Sequence, residues 1–342
     1  MINHRKMKRN IMLLSLILAL TASSVTAYAE ASKTSGSQTS TNPSVKKEKS
    51  SQHKMTAFTP DQLPKLLQQE KYDVIYQQLS PEFKKQISLK DFKKVGISVH
   101  NGTASYTLMS PQLSDQEFKR YVWLDNKGEQ GIEAIFDSKN IIHNMLLKKI
   151  QKFPETDAER TKTTFELPFH GNWFTIWGGT NALVNYHYDH ETQRYAYDIV
   201  MKNKGDSYKG DATKNESYYA FGQPIVAAAT GKVVLIVNDI KDNVPVGKMN
   251  DKHPAGNQVV IDHGNGEFSY YAHLQKGSIT VKVGDEVHAG DSLGKCGDSG
   301  NSSEAHLHFQ VSDGADLFTS KSIRVQWKDA DDYVQGSTIK AP

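Results

Sequence analysis

Two histidines separated by one residue, His306-Leu307-His308, stand at the head of the apolar run Phe309-Gln310-Val311. They follow the polar, turn-forming stretch Gly300-Asn301-Ser302-Ser303-Glu304-Ala305. Such a run reads as a β-strand, in which successive side chains alternate between faces. His306 and His308 then point the same way, and Leu307 points into the opposite layer. Each neutral imidazole offers a nitrogen lone pair, so two of them on one face of a rigid strand suit a first-row metal. Two surface histidines on an edge strand would give the same spacing, and the rest of the chain has to decide between these readings.

The elements around the pair are strands. Val226 to Ile236, Gly256 to Ile261, Gly266 to Leu274 and Val281 to Asp291 are short apolar runs broken by Gly and Asp. None has helical periodicity, so the pattern predicts an antiparallel all-β domain over 163–320. Upstream the period changes. Thr59-Pro60-Asp61 starts a helix, and Leu63, Leu66, Leu67, Tyr72, Ile75 and Leu79 recur at helical spacing. Ser80 is an N-cap with Pro81 at the first helical position, and Ser88 to Lys94 reads as another short helix. Extended runs follow at Ala104–Met109, Phe118–Leu124, Ile132–Phe136 and Ile141–Leu147. Helices followed by a meander predict a small α+β accessory domain over 55–150. It shows no cluster of His, Asp or Glu, and its expected role is to space and orient the domain after it, ligand binding being the alternative. This segment resembles a small domain of unknown function that precedes hydrolase domains in some secreted bacterial proteins. Lys152 to Thr163 is charged and polar and is the expected linker. Residues 321–342 read as a final strand or tail.

Taken in order, six motifs carry a family resemblance. They are Gly222-Gln223-Pro224-Ile225 with Ala228-Ala229-Thr230-Gly231-Lys232-Val233, Gly256-Asn257-Gln258-Val259-Val260-Ile261, Tyr271-Ala272-His273-Leu274, Val283-Gly284-Asp285-Glu286-Val287-His288-Ala289-Gly290-Asp291, Gly300-Asn301-Ser302 and His306-Leu307-His308-Phe309. This order resembles the M23 family of zinc metallopeptidases, the lysostaphin and LytM type, over residues 165–311. The resemblance implies a β-sandwich-like domain with a groove, one Zn²⁺ per chain held by two histidines and an aspartate, and hydrolysis of peptide bonds in peptidoglycan. Carried over by position, His308 is the metal ligand of the His-x-His strand and Asp198 the carboxylate ligand. His306 and His273 match the two non-ligand histidines of the active site and are the candidate catalytic groups.

The first histidine ligand departs from the common His-x-x-x-Asp pattern, because Arg194 stands four residues before Asp198. A guanidinium stays protonated and has no lone pair to give a metal. Asn185-Tyr186-His187 upstream resembles a subgroup whose ligand precedes the aspartate by a longer loop, which makes His187 the matching residue. His190 and His170 are the alternatives, and a metal-free site is the remaining one. Two imidazoles and a carboxylate leave a fourth tetrahedral position open, as catalytic zinc sites do. Zinc there would lower the pKa of water towards ~7 and polarise a carbonyl. His306 or His273 would then stabilise the developing charge or carry the proton. No HExxH helix supplies a glutamate base. His263 and His288 read as surface residues, the tyrosines 195, 197, 270 and 271 as packing or groove residues, and Trp173 and Trp177 as core or cleft wall. Cys296 lies in a tight turn, which argues against a nucleophilic thiol.

Arg5, Lys6, Lys8 and Arg9, the apolar Ile11–Leu20 and Ala27-Tyr28-Ala29 predict a signal peptide over 1–29, cleaved before Glu30. The apolar run is short for a membrane span, so no transmembrane segment is expected after cleavage. Residues 30–54 are Ser, Thr, Lys and Gln with almost no apolar side chains and read as a disordered linker. The four basic residues of the leader take the formal charge from +3 to −1, and the linker holds a further +3, so the folded remainder is near −4. That balance argues against nucleic acid as a partner. A single cysteine in an exported chain excludes an internal disulfide. The leader predicts a secreted protein, and the family resemblance implies that it is a cell-wall-associated endopeptidase acting on peptidoglycan stem or cross-bridge peptides; a monomer is expected. Two other readings are a degenerate module that binds the wall or activates another hydrolase, and a zinc peptidase acting on a secreted peptide.

Overall fold

The computed structural model describes residues 57–99, 105–109, 113–114 and 118–341. The expected leader and linker lie outside them. Ala57 to Pro342 form one compact unit. Among the described residues no helix is long and apolar enough to cross a membrane.

The N-terminal part packs four short helices, α1 (Leu63–Gln68), α2 (Tyr72–Gln77), α3 (Pro81–Lys84) and α4 (Leu89–Val99), on an antiparallel sheet. The sheet contains β1 (Tyr106–Leu108), β2 (Leu113–Ser114), β3 (Phe118–Asp125), β4 (Gln130–Asp137) and β5 (Ile142–Lys149), in the order β1-β3-β4-β5 with β2 beside β3. Ser80 caps α3 by accepting from Phe83 N, with Pro81 in the first turn, the arrangement that Ser-Pro dictates. Leu63, Leu67, Tyr72, Ile75 and Leu79 meet Trp123, Ile132, Ala134 and Phe136 in one core.

The expected linker is structured. It contains α5 (Pro154–Ala158) and β6 (Arg160–Phe165). The β-domain continues through β7 (Gly171–Trp177), β8 (Tyr197–Val200), β9 (Pro224–Val226), β10 (Gly231–Val237), β11 (Asn257–Asp262) and β12 (Phe268–Leu274). It closes with β13 (Glu286–Val287), β14 (Ser292–Lys295), β15 (Leu307–Ser312), β16 (Ser322–Trp327) and β17 (Thr338–Ala341). Ten strands form one sheet in the order β13-β10-β11-β12-β15-β8-β7-β17, with β16 joining β15 to β6. The β16–β6 pair is parallel and the others are antiparallel. A second layer, the β9–β14 pair, lies over the core. This is the expected sandwich-like all-β domain behind a small α+β segment, but its limits are wider than the sequence suggested. Trp327 of β16 and Ile339 of β17 are buried in the main core, and both strands belong to the ten-stranded sheet.

Register sets the site. Along β15, Leu307, Phe309 and Val311 enter the core, which turns His308, Gln310 and Ser312 to the other face. In the pairing of β15 with β8, His308 lies opposite Asp198 and Leu307 opposite Ile199, so side chains of like destiny share a face.

Candidate metal centre

Asp198 is the hub. His308 Nδ1 lies 3.0 Å from Asp198 Oδ1, His187 Nε2 lies 3.7 Å from Oδ2, and His306 Nε2 lies 3.6 Å from Oδ1. His187, Asp198 and His308 can bring one ligand atom each to within 4.8 Å of one another, and all three are buried. The structure thus brings together the three residues expected as ligands. His190 and His170, the alternatives, are exposed.

Each ring is held from behind. Asn185 Oδ1 accepts from His187 N (3.2 Å) and lies 2.9 Å from His187 Nδ1. Its own amide donates to the carbonyls of Gly179, Arg194 and Ala196, so Oδ1 is fixed as the acceptor. His187 Nδ1 therefore carries the proton and Nε2 turns a lone pair on Asp198. Gln310 does the same for His308. Its amide donates to Thr192 O and Ser312 Oγ, leaving Oε1 3.1 Å from His308 Nε2. A neutral His308 then presents its Nδ1 lone pair to the carboxylate. His306 Nδ1 donates to Glu304 O (2.8 Å), and His273 Nδ1 to Ser299 O (2.8 Å), so both of these rings also keep Nε2 free.

Acceptor atoms facing one another repel unless a cation lies between them. This is the test of whether the residues fit a metal, and they do. Ligands at about 2.05 Å around a tetrahedral zinc are separated by roughly 3.3 Å; His308 lies 3.0 Å from Oδ1 and His187 3.7 Å from Oδ2, either side of that value though each to its own carboxylate oxygen. Burial raises the pKa of Asp198, but the charge His187 and His306 carry when protonated, and the hydrogen bond His308 donates when its Nδ1 holds the proton, outweigh it and hold the carboxyl well below its ordinary range, a role that a metal ion would take over from those protons. Burial, aided by His308 and His306 and opposed by Asp198, pushes His187 down to about 3. Burial and the neighbouring imidazoles likewise hold His273 well below the histidine range. These are neutral rings ready to donate lone pairs.

His273 reaches the site through a distortion. Asn257 pairs with Leu274 while Val259 pairs with Tyr271, a bulge that sets Ala272 and His273 against one residue of β11. His273 takes φ 60°, the left-handed region that a side chain visits at a cost of about 1–3 kcal/mol. Its ring then lies 4.6 Å from that of His306 and 5.8 Å from that of His308. Beside the ligands a shallow cleft of about 50 Å³ is lined by Tyr186, Gln193, Ala255, Asn301, Leu317 and Phe318, among others. A larger cavity, about 540 Å³ between α1, β1 and β3, holds none of these histidines, so volume does not locate the chemistry.

Arg194 is buried, with its guanidinium 3.4 Å above the Phe153 ring and Nε donating to Tyr188 O, so it takes no place among the ligands. His263, expected at the surface, is half-buried between Thr230 O and Ser269 Oγ and packs edge-on against Phe165. His288 is exposed. Cys296 is buried, which pushes its thiol far above the thiolate range and leaves it inert. Sequence reasoning missed Asn185 and Gln310 as orienting groups. The signal for Gln310 was present, since it continues the period-two face of His306 and His308.

Residues 217–319 match the model of peptidase family M23. That stretch holds His273, His306 and His308 and begins after His187 and Asp198. Among curated relatives, peptidoglycan DD-endopeptidase ShyA of Vibrio cholerae is 36% identical over 91 residues, which is 26% of this chain and 17% of that protein. Lysostaphin of Staphylococcus simulans is 37% identical over 90 residues, 26% of this chain and 15% of that protein. The chain therefore spans less than a fifth of the length of either relative. The solved catalytic domain of lysostaphin from Staphylococcus simulans is 26% identical, with 37% of this chain and 74% of that chain covered and a TM-score of 0.24. The matched stretch runs through the His-x-His strand, and residues 217–319 of the chain form a domain of the peptidase family M23 type.

Proposed function

We propose that the protein is a secreted zinc-dependent endopeptidase that hydrolyses peptide bonds in bacterial peptidoglycan, with one Zn²⁺ per chain held by His187 Nε2, the Asp198 carboxylate and His308 Nδ1. The observation that carries this reading is the convergence of three buried acceptor groups, two imidazole nitrogens whose ring protons are turned to the far side by Asn185 and Gln310 and the Asp198 carboxylate between them. Names of relatives with peptidoglycan as substrate support the substrate class. A bound zinc ion would supply Lewis acidity and an activated water at the position its three protein ligands leave open.

The chain's own residues do the rest. Asp198 offsets part of the ion's charge, and Asn185 and Gln310 hold the two imidazoles in the tautomer that ligates. His306 and His273 each turn Nε2 towards the reacting centre, because Glu304 O and Ser299 O occupy their Nδ1 protons. A neutral Nε2 accepts a proton from the attacking water and, once protonated, donates to the leaving amine or to the carbonyl oxygen as charge develops there. Burial of the ligands keeps bulk water from competing.

The test is elemental zinc and digestion of purified peptidoglycan, with fragments identified by mass spectrometry, for the wild type, His187→Ala and His308→Ala. One zinc per wild-type chain, lost in both variants together with digestion, is expected. Zinc and digestion retained in His308→Ala would overturn the reading. Export belongs to the same proposal, and amino-terminal sequencing of protein recovered from the medium should begin at Glu30.

A further inference from the structure

The turn that carries His187, Tyr186–Asp189, is a single 3₁₀ turn on a surface loop and has no sheet partner of its own. It is gripped from two sides by residues upstream of residue 160. On one side, Arg120 of β3 reaches across to the β-domain. Its Nη2 donates to Leu183 O (2.6 Å) and pairs with Glu133 (2.7 Å), while Nη1 donates to Gln335 Oε1 (2.5 Å). Its guanidinium lies 5.5 Å from the Trp177 ring, Trp177 packs edge-on against Tyr186 at 5.3 Å, and the Tyr186 ring lies tilted against that of His187 at 3.9 Å. Below this, Leu183 and Val184 are buried in one apolar cluster with Val122 and Ile150. A Cβ on Gly131 of β4 would stand 2.1 Å from Leu183 Cδ1, so the absent side chain leaves the notch into which Leu183 docks. Asn185, which fixes the His187 tautomer, is the next residue but one.

On the other side, the Phe153–Asp157 segment holds the end of the turn. Tyr188 OH accepts from Phe153 N (3.1 Å) and donates to Asp157 (2.8 Å), and Tyr195 OH donates to the other oxygen of Asp157 (2.8 Å). Arg194, stacked on Phe153, donates to Tyr188 O and so ties this segment to the residue after His187. Lys148 of β5 adds a half-exposed pair with Asp189 at 2.7 Å, which is worth little by itself.

We propose that the N-terminal α+β segment and the linker after it are positioning elements for the His187 turn, with Arg120 and Phe153 as their respective positioning residues. By fixing that turn they set the affinity of the metal site. The metal half of this statement rests on the function proposed above, whereas the order of the turn does not. Neither residue touches a ligand, so their effect runs through Trp177, Tyr186, Leu183 and Arg194. Groups hydrogen-bonded directly to a ligand change metal affinity by about 10–100-fold when lost, and an effect relayed through one more contact is expected at the lower end of that range.

The test uses the full chain and two variants. Arg120→Met with Glu133→Gln removes both charges, so no buried carboxylate is left unpaired. Phe153→Ala lies outside the core and reports on the second grip if the first variant does not fold. Amide exchange across 183–190 in the metal-free proteins should be faster in either variant than in the wild type, with exchange in β11 and β12 unchanged. Titration with Co²⁺ alone should show at least a tenfold weaker affinity and altered ligand-field bands. Folded variants with wild-type exchange, affinity and cobalt spectrum would overturn the proposal. A wild type that binds no cobalt, or a His187→Ala variant that binds it as the wild type does, would instead sink the metal reading, and the exchange measurement would still decide the grip.

Discussion

Asp298 offers a pH-dependent stability that can be worked through from the structure. Its side chain is buried, and neither carboxylate oxygen has a hydrogen-bond partner of good geometry. Burial pushes its pKa up from 3.8 to about 7; the charges of Asp242 and Glu304 add to the rise, and the nearby Ser302 and Asn243 side chains offset part of it. The folded protein therefore holds a proton that the unfolded chain releases near pH 4. Between those values the native state binds more protons, so stability falls as pH rises. The contribution is complete below the unfolded value and lost above about pH 7. A difference of about three units corresponds to roughly 4 kcal/mol at most. Asp298→Asn keeps the shape and cannot ionise. It should match the wild type near pH 4 and gain on it by about 1.4 kcal/mol per pH unit until the gap levels off near pH 7. Guanidinium unfolding of both proteins from pH 4.5 to 8.5 measures this, and the difference between them cancels the other titrating groups. A gap that stays flat with pH, or a variant less stable at pH 8, would mean that the carboxylate is ionised in the fold and held by something that Asn cannot replace, and the reasoning would fail.

Three further outcomes follow from the same geometry. Asn185→Ala removes the acceptor on His187 Nδ1 and the ties to three carbonyls, and should weaken metal binding about 10–100-fold in a chelator competition. Trp327→Ala empties a buried site packed by Tyr197, Phe309 and Tyr333 and should cost about 3–5 kcal/mol in unfolding experiments, whereas a loosely attached C-terminal tail would cost almost nothing. Gly256→Ala requires a side chain at φ 60° with its Cβ 2.4 Å from Ser299 O, the carbonyl that orients His273. Displacement of that carbonyl by about 1 Å should lower kcat by up to about 100-fold while zinc content stays at the wild-type level.

How far the site could be read in advance depended on whether its residues obey a short-range rule. The alternation of a strand was enough to put His306 and His308 on one face and Leu307 in the core, and the same period runs on to Gln310, whose role needed only that step. Ser80-Pro81 announced a helix start because capping is local. His187 was harder, because no spacing distinguishes it from His190. What separates them is that Asn185 caps the turn and draws the His187 ring inward, while His190 falls on the exposed end. His263 was misjudged for a related reason. Its partners, Thr230 O just before β10 and Ser269 Oγ on β12, come from either side of β11, and the polar turn around Gly264 gives no hint of them. Beyond that range the sequence offered nothing. Arg120 and Gln335 are 215 positions apart, and the Phe153–Arg194 stack has the composition of an ordinary charged linker. Ser322-Ile323-Arg324-Val325-Gln326-Trp327 does alternate polar and apolar residues, so the strand that closes the core was legible, although its place beside β6 was not.

The position of Arg194 ties these levels together. A residue four before Asp198 with no lone pair to offer removes one route to a ligand, and in the site proposed above the turn at His187 supplies another. That turn has neither a sheet ladder nor a long helix to hold it, so its own Asn185 cap is supplemented by side chains that reach it from elsewhere. Arg194 itself provides one such contact through Tyr188 O, and Arg120 provides a second through Leu183 O. A ligand carried on a loop and fixed by distant contacts responds to changes far from the metal. His308, locked by the pairing of β15 with β8 and β12, does not have that exposure. Substitutions in the N-terminal sheet should therefore act on metal retention through His187, and leave the half of the site built on Asp198 and His308 in place.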